Sequence, residues 1–157
     1  SFRYFCAAGA TTLHGESREN ETHLIPAVID HIIGDKSEIS VFGSDYETID
    51  GSGVRDYVHV IDIVDAHIMV MKKINECSGK QYNIGTESGY SVLEVIQAAE
   101  DIFSTKANIK IRERRAGDPT ALVATCKLLD NDFSWRPRRT LKEMLVSAYN
   151  WRVDPLY

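Results

Sequence analysis

The stretch VFGSDYETIDGSGVRDYVHV, residues 41–60, contains the signals that decide the fold. It begins as a short apolar strand and passes through a loop rich in glycine and aspartate, residues 43–53, called here the glycine loop. It leaves through an aromatic and β-branched segment that opens onto a helix. Arg55 stands just after this loop. Because a guanidinium grips phosphate oxygens with two parallel hydrogen bonds, flexible glycines beside this cation predict a loop that wraps an anionic ligand.

A second basic stretch, RERRAGDP at residues 112–119, follows downstream and is called here the arginine loop. We predict that the two loops close over one phosphorylated small molecule, with Arg55 and Arg115 as its main contacts. The alternative, in which both arginines form surface salt bridges, remains open at this point. Asp118 could hold a sugar hydroxyl or could simply start a turn. Phe42 could stack on a base ring or belong to the core.

Size and composition fit one compact domain with a sizeable core: 157 residues, of which 43% are hydrophobic and 26% charged. The net charge of -5 argues against a nucleic-acid binder that works by general basicity, since that mode needs a broad cationic face. No run is long enough to cross a bilayer and no signal-peptide pattern is visible, so we expect no membrane partner. Three widely spaced cysteines without CxxC pairs favour a reducing compartment and predict a cytoplasmic location.

Strand and helix patterns alternate along the chain, which predicts an α/β or mixed α+β fold. Strands are predicted at residues 2–5 (buried), 39–42, 81–84 and 108–112 (half-buried, with Ile109 and Ile111 on one face). Helices are predicted from His23 or Leu24 to a cap at Gly34, from Ile61 to Asn75, from a capping box at Ser91 and Glu94, near residues 127–130, and from a second capping box at Thr140 and Glu143. The chain opens inside a strand pattern and without methionine, so we expect it to be part of a longer polypeptide.

No metal site or catalytic group is predicted from the residues themselves. His23 and His31 are eight apart on one helix, as are His59 and His67, and a separation of about 12 Å is too long for both to share one ion. Cys6 could be a nucleophile, yet nothing adjacent in the sequence activates it, and a buried, inert thiol is the expected state. The chain has no GxGxxG after a strand, no Walker loop and no GxSxG.

Five motifs occur in a fixed order: RYF at 3–5, HLIP at 23–26, FGSDY at 42–46, DGSGVRDYVHV at 50–60 and RRAGD at 114–118. By this joint order and spacing, the chain resembles the C-terminal half of the UDP-glucose 4-epimerases, which are extended short-chain dehydrogenases/reductases. The resemblance runs nearly end to end, through YNIG at 82–85, GYSV at 89–92, Trp135 and Trp151.

The resemblance implies that residues 1–157 are the C-terminal, substrate-binding portion of an NAD-dependent nucleotide-sugar epimerase, with the last strands of a Rossmann sheet. In that family, an N-terminal Rossmann domain holds NAD and carries the glycine motif and a Tyr-x-x-x-Lys pair, all of which are absent from this chain. The implied function is to hold the UDP-sugar while UDP-glucose and UDP-galactose interconvert through a 4-keto intermediate. NAD and the N-terminal half are thus implied partners, and the chain alone is expected to be inactive.

The resemblance also implies a set of binding residues, carried over position by position. Those implied at the cofactor are Tyr4 and Phe5, with Phe5 against the nicotinamide. Those implied at the substrate are Cys6, His23 and Leu24 at its border, Ser40, Val41 and Phe42 at the uridine, Arg55 and Arg115 at the diphosphate, Asp118 at the ribose, and Leu122 at the gate of the sugar pocket. Three of these depart from the family pattern: Cys6 and His23 replace frequent asparagines, and Leu122 replaces a tyrosine, cysteine or serine.

Three alternatives to the epimerase remain. A sister enzyme, such as a nucleotide-sugar 4,6-dehydratase or decarboxylase, usually has a shorter loop before the arginine, so the long insertion at residues 45–53 favours the epimerase. A nonenzymatic nucleotide-sugar-binding fragment would bind UDP without any N-terminal half. An inactive truncated product would cover its exposed Rossmann-facing surface by self-association into a homo-oligomer.

Overall fold

The computed structural model describes residues 1–19 and 21–156. Its strands are β1 (Phe2–Tyr4), β2 (Cys6–Ala8), β3 (Ile39–Phe42), β4 (Val54–Arg55), β5 (Tyr57–His59), β6 (Tyr82–Ile84), β7 (Tyr90–Ser91), β8 (Ile109–Arg112) and β9 (Ala121–Leu122). Its helices are α1 (Leu24–Ile32), α2 (Val60–Met71), α3 (Val92–Phe103), α4 (Lys127–Phe133) and α5 (Leu141–Val153), with a short 3₁₀ turn at Ile74–Glu76. The predicted α/β class is confirmed. No helix in the described ranges combines the length and apolarity that a membrane span needs.

Short, mostly parallel strand pairs connect distant parts of the chain. β1 pairs with β6, β2 with β5, and β3 with β8, all in parallel. β4 lies between β7, which is antiparallel to it, and β9, which is parallel. Parallel pairs need long crossover connections, and the helices supply them. The β1–β6 pair places the first strand of the chain beside a strand 80 residues further on, with Phe2 opposite Tyr82.

Two hydrophobic clusters form the core. The first lies among α1, α3, α5 and β3, and its fully buried side chains include Val28, Ile29, Ile96 and Leu145. The second surrounds β6, α2 and α4, and includes Ile84, Ala66 and Leu129. The glycine loop leaves β3 at the edge of the first cluster, so its base is fixed by packing.

Local signals place the helix starts correctly. At α3, the Ser91 hydroxyl accepts a bond from the Glu94 amide at 3.0 Å, and the Glu94 carboxylate accepts one from the Ser91 amide at 2.7 Å. Thr140 and Glu143 form the same capping box at α5. α1 begins right after His23, and Gly34 follows its end with a φ of +91°, a conformation that glycine adopts without strain.

Three details of the predicted elements are wrong. α2 ends at Met71 rather than Asn75, because the chain tightens into a 3₁₀ turn that brings Cys77 back into the second cluster. β1 is not buried: Tyr4 is 53% exposed, since within the described residues β1 pairs only with β6. β8 is exposed on both faces rather than half-buried, since β3 is its only paired strand there and its isoleucines remain open to solvent.

His59 caps α2 from a buried position between the two clusters. Its Nδ1 accepts a hydrogen bond from the Ile61 amide at 3.1 Å, which places the ring proton on Nε2, and Nε2 donates to the Ser147 hydroxyl at 3.1 Å. The ring is therefore held neutral. Burial lowers the pKa of His59, and the positive charge of Arg139 lowers it further.

This geometry predicts a loss of stability in mild acid. The folded pKa of His59 lies below the unfolded value of about 6.5, so the unfolded chain binds the proton first and stability falls as the pH drops below that value. Urea denaturation at two pH values, one neutral and one mildly acidic, measures how far the free energy of unfolding falls. We expect a smaller drop in His59→Gln and an unchanged one in His14→Gln, whose histidine is exposed. An identical drop in His59→Gln and wild type would contradict this account.

Candidate ligand-binding site

Arg55 lies at the end of β4 and reaches across to the arginine loop. Its Nη1 donates to the carbonyl oxygens of Val54 at 2.8 Å and Pro119 at 2.9 Å, and its Nη2 lies 3.5 Å from the Asp118 carboxylate. Only 17% of the Arg55 side chain is exposed. A Cβ at Gly53 would stand 3.3 Å from Nη1, so the glycine leaves room for the guanidinium. The Arg55 guanidinium is therefore held in place through Nη1, while Nη2 lies next to the half-exposed carboxylate of Asp118.

Arg115 and Asp118 stand at the two ends of one turn. The Asp118 amide donates to the Arg115 carbonyl at 3.2 Å, and Gly117 between them has a φ of +83°. The Arg115 guanidinium lies 3.9 Å from the centre of the Phe42 ring, a cation–π contact. The turn therefore joins the two predicted anion contacts: Arg55 binds one end of it, and Arg115 extends from the other end back to β3.

A further pair of contacts fastens the arginine loop to the glycine loop. The Arg114 guanidinium lies 4.1 Å from the centre of the Tyr46 ring, and its Nε donates to the Asp45 carboxylate at 2.6 Å. Gly43 has a φ of +85°, and a Cβ there would come within 2.5 Å of the Tyr46 ring. These contacts hold the two loops side by side, while their closing over one phosphorylated small molecule stays a prediction.

The far end of the glycine loop is tied to the start of α3. The Asp50 carboxylate accepts hydrogen bonds from the amide and the hydroxyl of Ser52, both at 2.8 Å, and from the Ser91 hydroxyl. Burial alone would raise the pKa of Asp50, but the hydrogen bonds from Ser91 and Ser52 outweigh it and lower the pKa. The loop is thus anchored at both ends.

Asp56 is the buried centre of the site. It is fully buried, and its Oδ1 accepts from the amide of Thr86 at 2.7 Å and from the hydroxyl of the same residue at 2.5 Å. Its Oδ2 accepts from the amides of Glu87 at 3.2 Å and Ala124 at 3.0 Å. A Cβ at Gly85 would stand 2.4 Å from Oδ2, so only glycine fits beside it. Sequence reasoning missed Asp56, although a carboxylate directly before the aromatic and β-branched segment 57–60 is a visible signal.

Cys6 and Leu122 meet at the backbone of Asp56. The Cys6 amide donates to the Asp56 carbonyl at 2.9 Å, and the Asp56 amide donates to the Leu122 carbonyl at 3.1 Å. Leu122 pairs with Arg55 in the β4–β9 register and is 46% exposed. Burial raises the pKa of the Cys6 thiol, which the positive charge of Arg55 only partly offsets. A raised pKa disfavours the reactive thiolate, but Cys6 is half-buried rather than buried as predicted, and its inertness stays a prediction.

The three residues implied at the uridine lie consecutively on β3, where alternate side chains face opposite sides. Val41 is 1% exposed and packs in the first cluster, so only its backbone can reach a ligand. Ser40 and Phe42 share the other face and are half-buried. The Ser40 hydroxyl accepts from the Arg112 guanidinium at 3.4 Å, and Phe42 carries Arg115 on its ring.

His23 and Leu24 lie on a different segment, at the start of α1. The His23 side chain is 59% exposed and its Nδ1 lies 2.5 Å from the Glu21 carboxylate, while Leu24 is half-buried against the first cluster. Burial alone would raise the pKa of Glu21, but hydrogen bonds from His23, together with its charge, lower the pKa. Within the described ranges, neither residue shares a hydrogen bond or ion pair with the two loops.

Tyr4 and Phe5, implied at the cofactor, lie at the end of β1. The Nδ1 of His67 lies 2.8 Å from the Ile63 carbonyl and donates to it, so Nε2 accepts the Tyr4 hydroxyl proton at 2.8 Å. The Tyr4 ring stacks on His67 with 5.7 Å between ring centres and stays half-exposed. Phe5 is half-buried beside the second cluster. An exposed aromatic ring at a strand end is a suitable surface for a flat ligand ring.

Comparison with known families identifies the class. The pattern of the NAD dependent epimerase/dehydratase family matches residues 1–85, and the chain belongs to this family. It is 42% identical to the UDP-glucose 4-epimerase of Rhizobium meliloti, over 95% of this chain and 46% of that relative. It is 38% identical to the UDP-glucose 4-epimerase of Mus musculus, over 96% of this chain and 44% of that relative.

Solved structures agree with the curated relatives. The UDP-glucose-4-epimerase of Stenotrophomonas maltophila with bound NAD and formylated UDP-arabinopyranose superposes with a TM-score of 0.91 at 33% identity, covering 97% of this chain and 46% of that one. The UDP-glucose 4-epimerase of Bifidobacterium longum in complex with NAD+ and UDP superposes with a TM-score of 0.88 at 36% identity, covering 97% of this chain and 46% of that one. The resemblance inferred from the motifs is confirmed. The chain spans about half the length of the curated relatives it matches.

The geometry of Asp56 predicts that Asp56→Ala destabilises the protein strongly. The substitution leaves the amides of Thr86, Glu87 and Ala124 without their acceptor, and a buried donor without a partner costs about 1–3 kcal/mol. We expect the free energy of unfolding in urea to fall by at least about 3 kcal/mol. Asp154→Ala, at an exposed position, is the matched control and should change it little. A near-native stability of Asp56→Ala would show that Asp56 does not organise the site.

Proposed function

We propose that the protein is the UDP-sugar-binding half of a UDP-glucose 4-epimerase, an isomerase that interconverts UDP-glucose and UDP-galactose. The observation that carries the proposal is the turn from Arg115 to Asp118, whose carboxylate lies 3.5 Å from the guanidinium of Arg55, a residue from a distant part of the chain. Membership of the NAD dependent epimerase/dehydratase family and the likeness to UDP-glucose 4-epimerases support the same substrate class.

The arginines would anchor the pyrophosphate. Arg55 Nη2 is 3.5 Å from the Asp118 carboxylate, longer than a good charge-assisted bond, so a phosphate oxygen can take its place. Asp118 is 39% exposed and is then free to turn to a ribose hydroxyl. Anchoring the substrate through its remote diphosphate supplies binding energy without fixing the reacting sugar ring, which must turn over between the two hydride transfers.

NAD and an N-terminal Rossmann half complete the proposed enzyme. Tyr4 and Phe5 would border the nicotinamide, and NAD would accept a hydride from the sugar and return it. The nucleotide glycine motif and the Tyr-x-x-x-Lys pair would come from the N-terminal half. In the described residues β1 pairs on one side only, which leaves its other edge available to a further strand of that half.

The site would admit the sugar between Leu122 and the start of α1. Leu122 is 46% exposed beside Arg55, a suitable position for a residue that limits the size of the sugar pocket. The glycine loop, long and tied at Asp45 and Asp50, favours an epimerase over a dehydratase or decarboxylase with a shorter loop. A role in galactose metabolism in the cytoplasm belongs to the same proposal, and the three unpaired cysteines are consistent with a reducing compartment.

Arginine substitutions test the nucleotide site. We expect Arg55→Ala and Arg115→Ala each to weaken UDP binding by about 1.5–3 kcal/mol, the range typical of a hydrogen bond to a charged group. Isothermal titration calorimetry with UDP measures the change. Arg138→Ala removes an exposed arginine outside the site and should leave the affinity unchanged.

The outcomes separate the alternatives. Unchanged UDP affinity in both site variants would remove the assignment of the two loops to a diphosphate. Epimerase activity with NAD after addition of an N-terminal Rossmann half would support the enzyme, whereas UDP binding without any activity in that mixture would favour a nonenzymatic binding module.

A further inference from the structure

The α2 helix carries apolar side chains on both of its faces. On one face, Ala66 and Val70 are buried in the second cluster. On the opposite face, Val64, Ile68 and Met71 are 52%, 47% and 69% exposed. Steps of four and three residues place these three side chains in one line along the helix, and this row is called here the α2 seam. A helix that is apolar on both faces is typically buried on both, so the seam indicates a contact surface.

The α2 seam continues into a cavity beside β1. The cavity has a volume of about 460 Å³, and Met71 of the seam lines it together with Phe2 of β1 and Tyr82 of β6. His67, which neighbours the seam on the helix surface, packs against the Phe2 ring with 4.6 Å between the ring centres. The seam therefore lies on the side of α2 that faces β1, and seam, cavity and β1 form one continuous surface.

The free edge of β1 indicates what kind of element fits this surface. Among the described residues, β1 pairs with β6 alone, and the pair is parallel. Connections between parallel strands of one sheet are right-handed in nearly all proteins, and α2 lies on the connection from β1 to β6. A further parallel strand that preceded β1 at its free edge would therefore place its own connecting helix on the same face of the sheet, beside α2 and along the seam.

The relatives are long enough to supply such a strand and helix. This chain covers only 46% of the Rhizobium meliloti relative and 44% of the Mus musculus relative, so each has about as much sequence again. The family pattern matches residues 1–85, which include β1, α2 and β6. The surface thus lies within the segment that carries the family pattern, and the unmatched half of the relatives is the occupant that fits it.

We propose that the α2 seam, the cavity beside Phe2 and the free edge of β1 form the docking surface for the N-terminal half, with one apolar helix of that half packed along the seam. The inference rests on the proposed function for the existence of that half, but it uses none of the nucleotide contacts. Because the seam residues are spaced by four and three, we expect the partner helix to lie close to parallel or antiparallel to α2.

The stability of the seam in two proteins tests the proposal. One is the 157-residue chain alone, and the other joins the N-terminal half of the Rhizobium meliloti relative to residue 1 in a single polypeptide. We expect Ile68→Glu to lower the urea midpoint of the joined protein by about 1 M or more, because the charge would be buried at the helix contact. The same change should leave the midpoint of the chain alone nearly unaltered, since Ile68 is exposed there.

A matched variant and a second measurement make the result decisive. Leu128→Glu changes a similarly exposed apolar residue on α4, outside the surface, and should leave both midpoints unaltered. In the wild-type proteins, the amides of α2 should exchange with deuterium at least about tenfold more slowly in the joined protein than in the chain alone. Equal effects of Ile68→Glu in both proteins, an equal effect of Leu128→Glu, or unchanged exchange would overturn the proposal.

Two further outcomes separate the proposal from its alternatives. A dimer of the chain alone that dissociates in Ile68→Glu, without slower exchange in the joined protein, would assign the seam to a second copy and overturn the proposal. Calorimetry with UDP tests the nucleotide site separately, and Ile68→Glu should bind UDP like the wild type in the chain alone. Absence of UDP binding together with the expected difference between the two proteins would remove the nucleotide site but support the docking surface.

Discussion

The buried carboxylate of Asp56 is the constraint on which the rest of the site depends. Its four hydrogen bonds join the β4–β5 junction to the turn after β6 and to the segment after β9. Neighbouring residues on an extended chain point in opposite directions, so burying Asp56 turns Arg55 outwards. The same residue's backbone bonds Cys6 and Leu122, which brings three distant segments to one place. The Asp56 carboxylate, whose burial is offset by these four hydrogen bonds, thus orients the side chain of Arg55.

The two arginines are already occupied by partners of the protein itself. Arg55 lies against Asp118 and Pro119, and Arg115 covers the ring of Phe42. Such contacts hold long, flexible side chains near their working positions, which reduces the entropy lost when a ligand binds. In the proposed function a pyrophosphate would replace Asp118 at Arg55, because it carries more charge than one carboxylate and offers more acceptor oxygens. The ring of Phe42 becomes available to a base if Arg115 leaves it for a phosphate.

Features of the secondary structure that depend on local interactions could be predicted from the sequence. Both capping boxes, the start of α1 and the position of β3 depend on residues within a few places of each other, and all were predicted correctly. Exposure and long-range partners depend on the fold as a whole. β8 is exposed to solvent because, among the described residues, it pairs with β3 alone. No local sequence pattern encodes how many strands flank it. Asp62 lies in the first turn of α2, where a carboxylate complements the helix dipole, and it is also a buried partner of Arg139 from a segment 77 residues away.

The binding residues divide in the same way. Arg55 and Arg115 stand out because glycine-rich and arginine-rich loops are unusual in composition, whereas Asp56 gains its role only from its three-dimensional surroundings. The structure of the protein with bound UDP tests the central claim most directly. Both guanidinium groups are expected to lie within hydrogen-bonding distance, about 3 Å, of pyrophosphate oxygens. A nucleotide whose pyrophosphate contacts neither Arg55 nor Arg115 would contradict it.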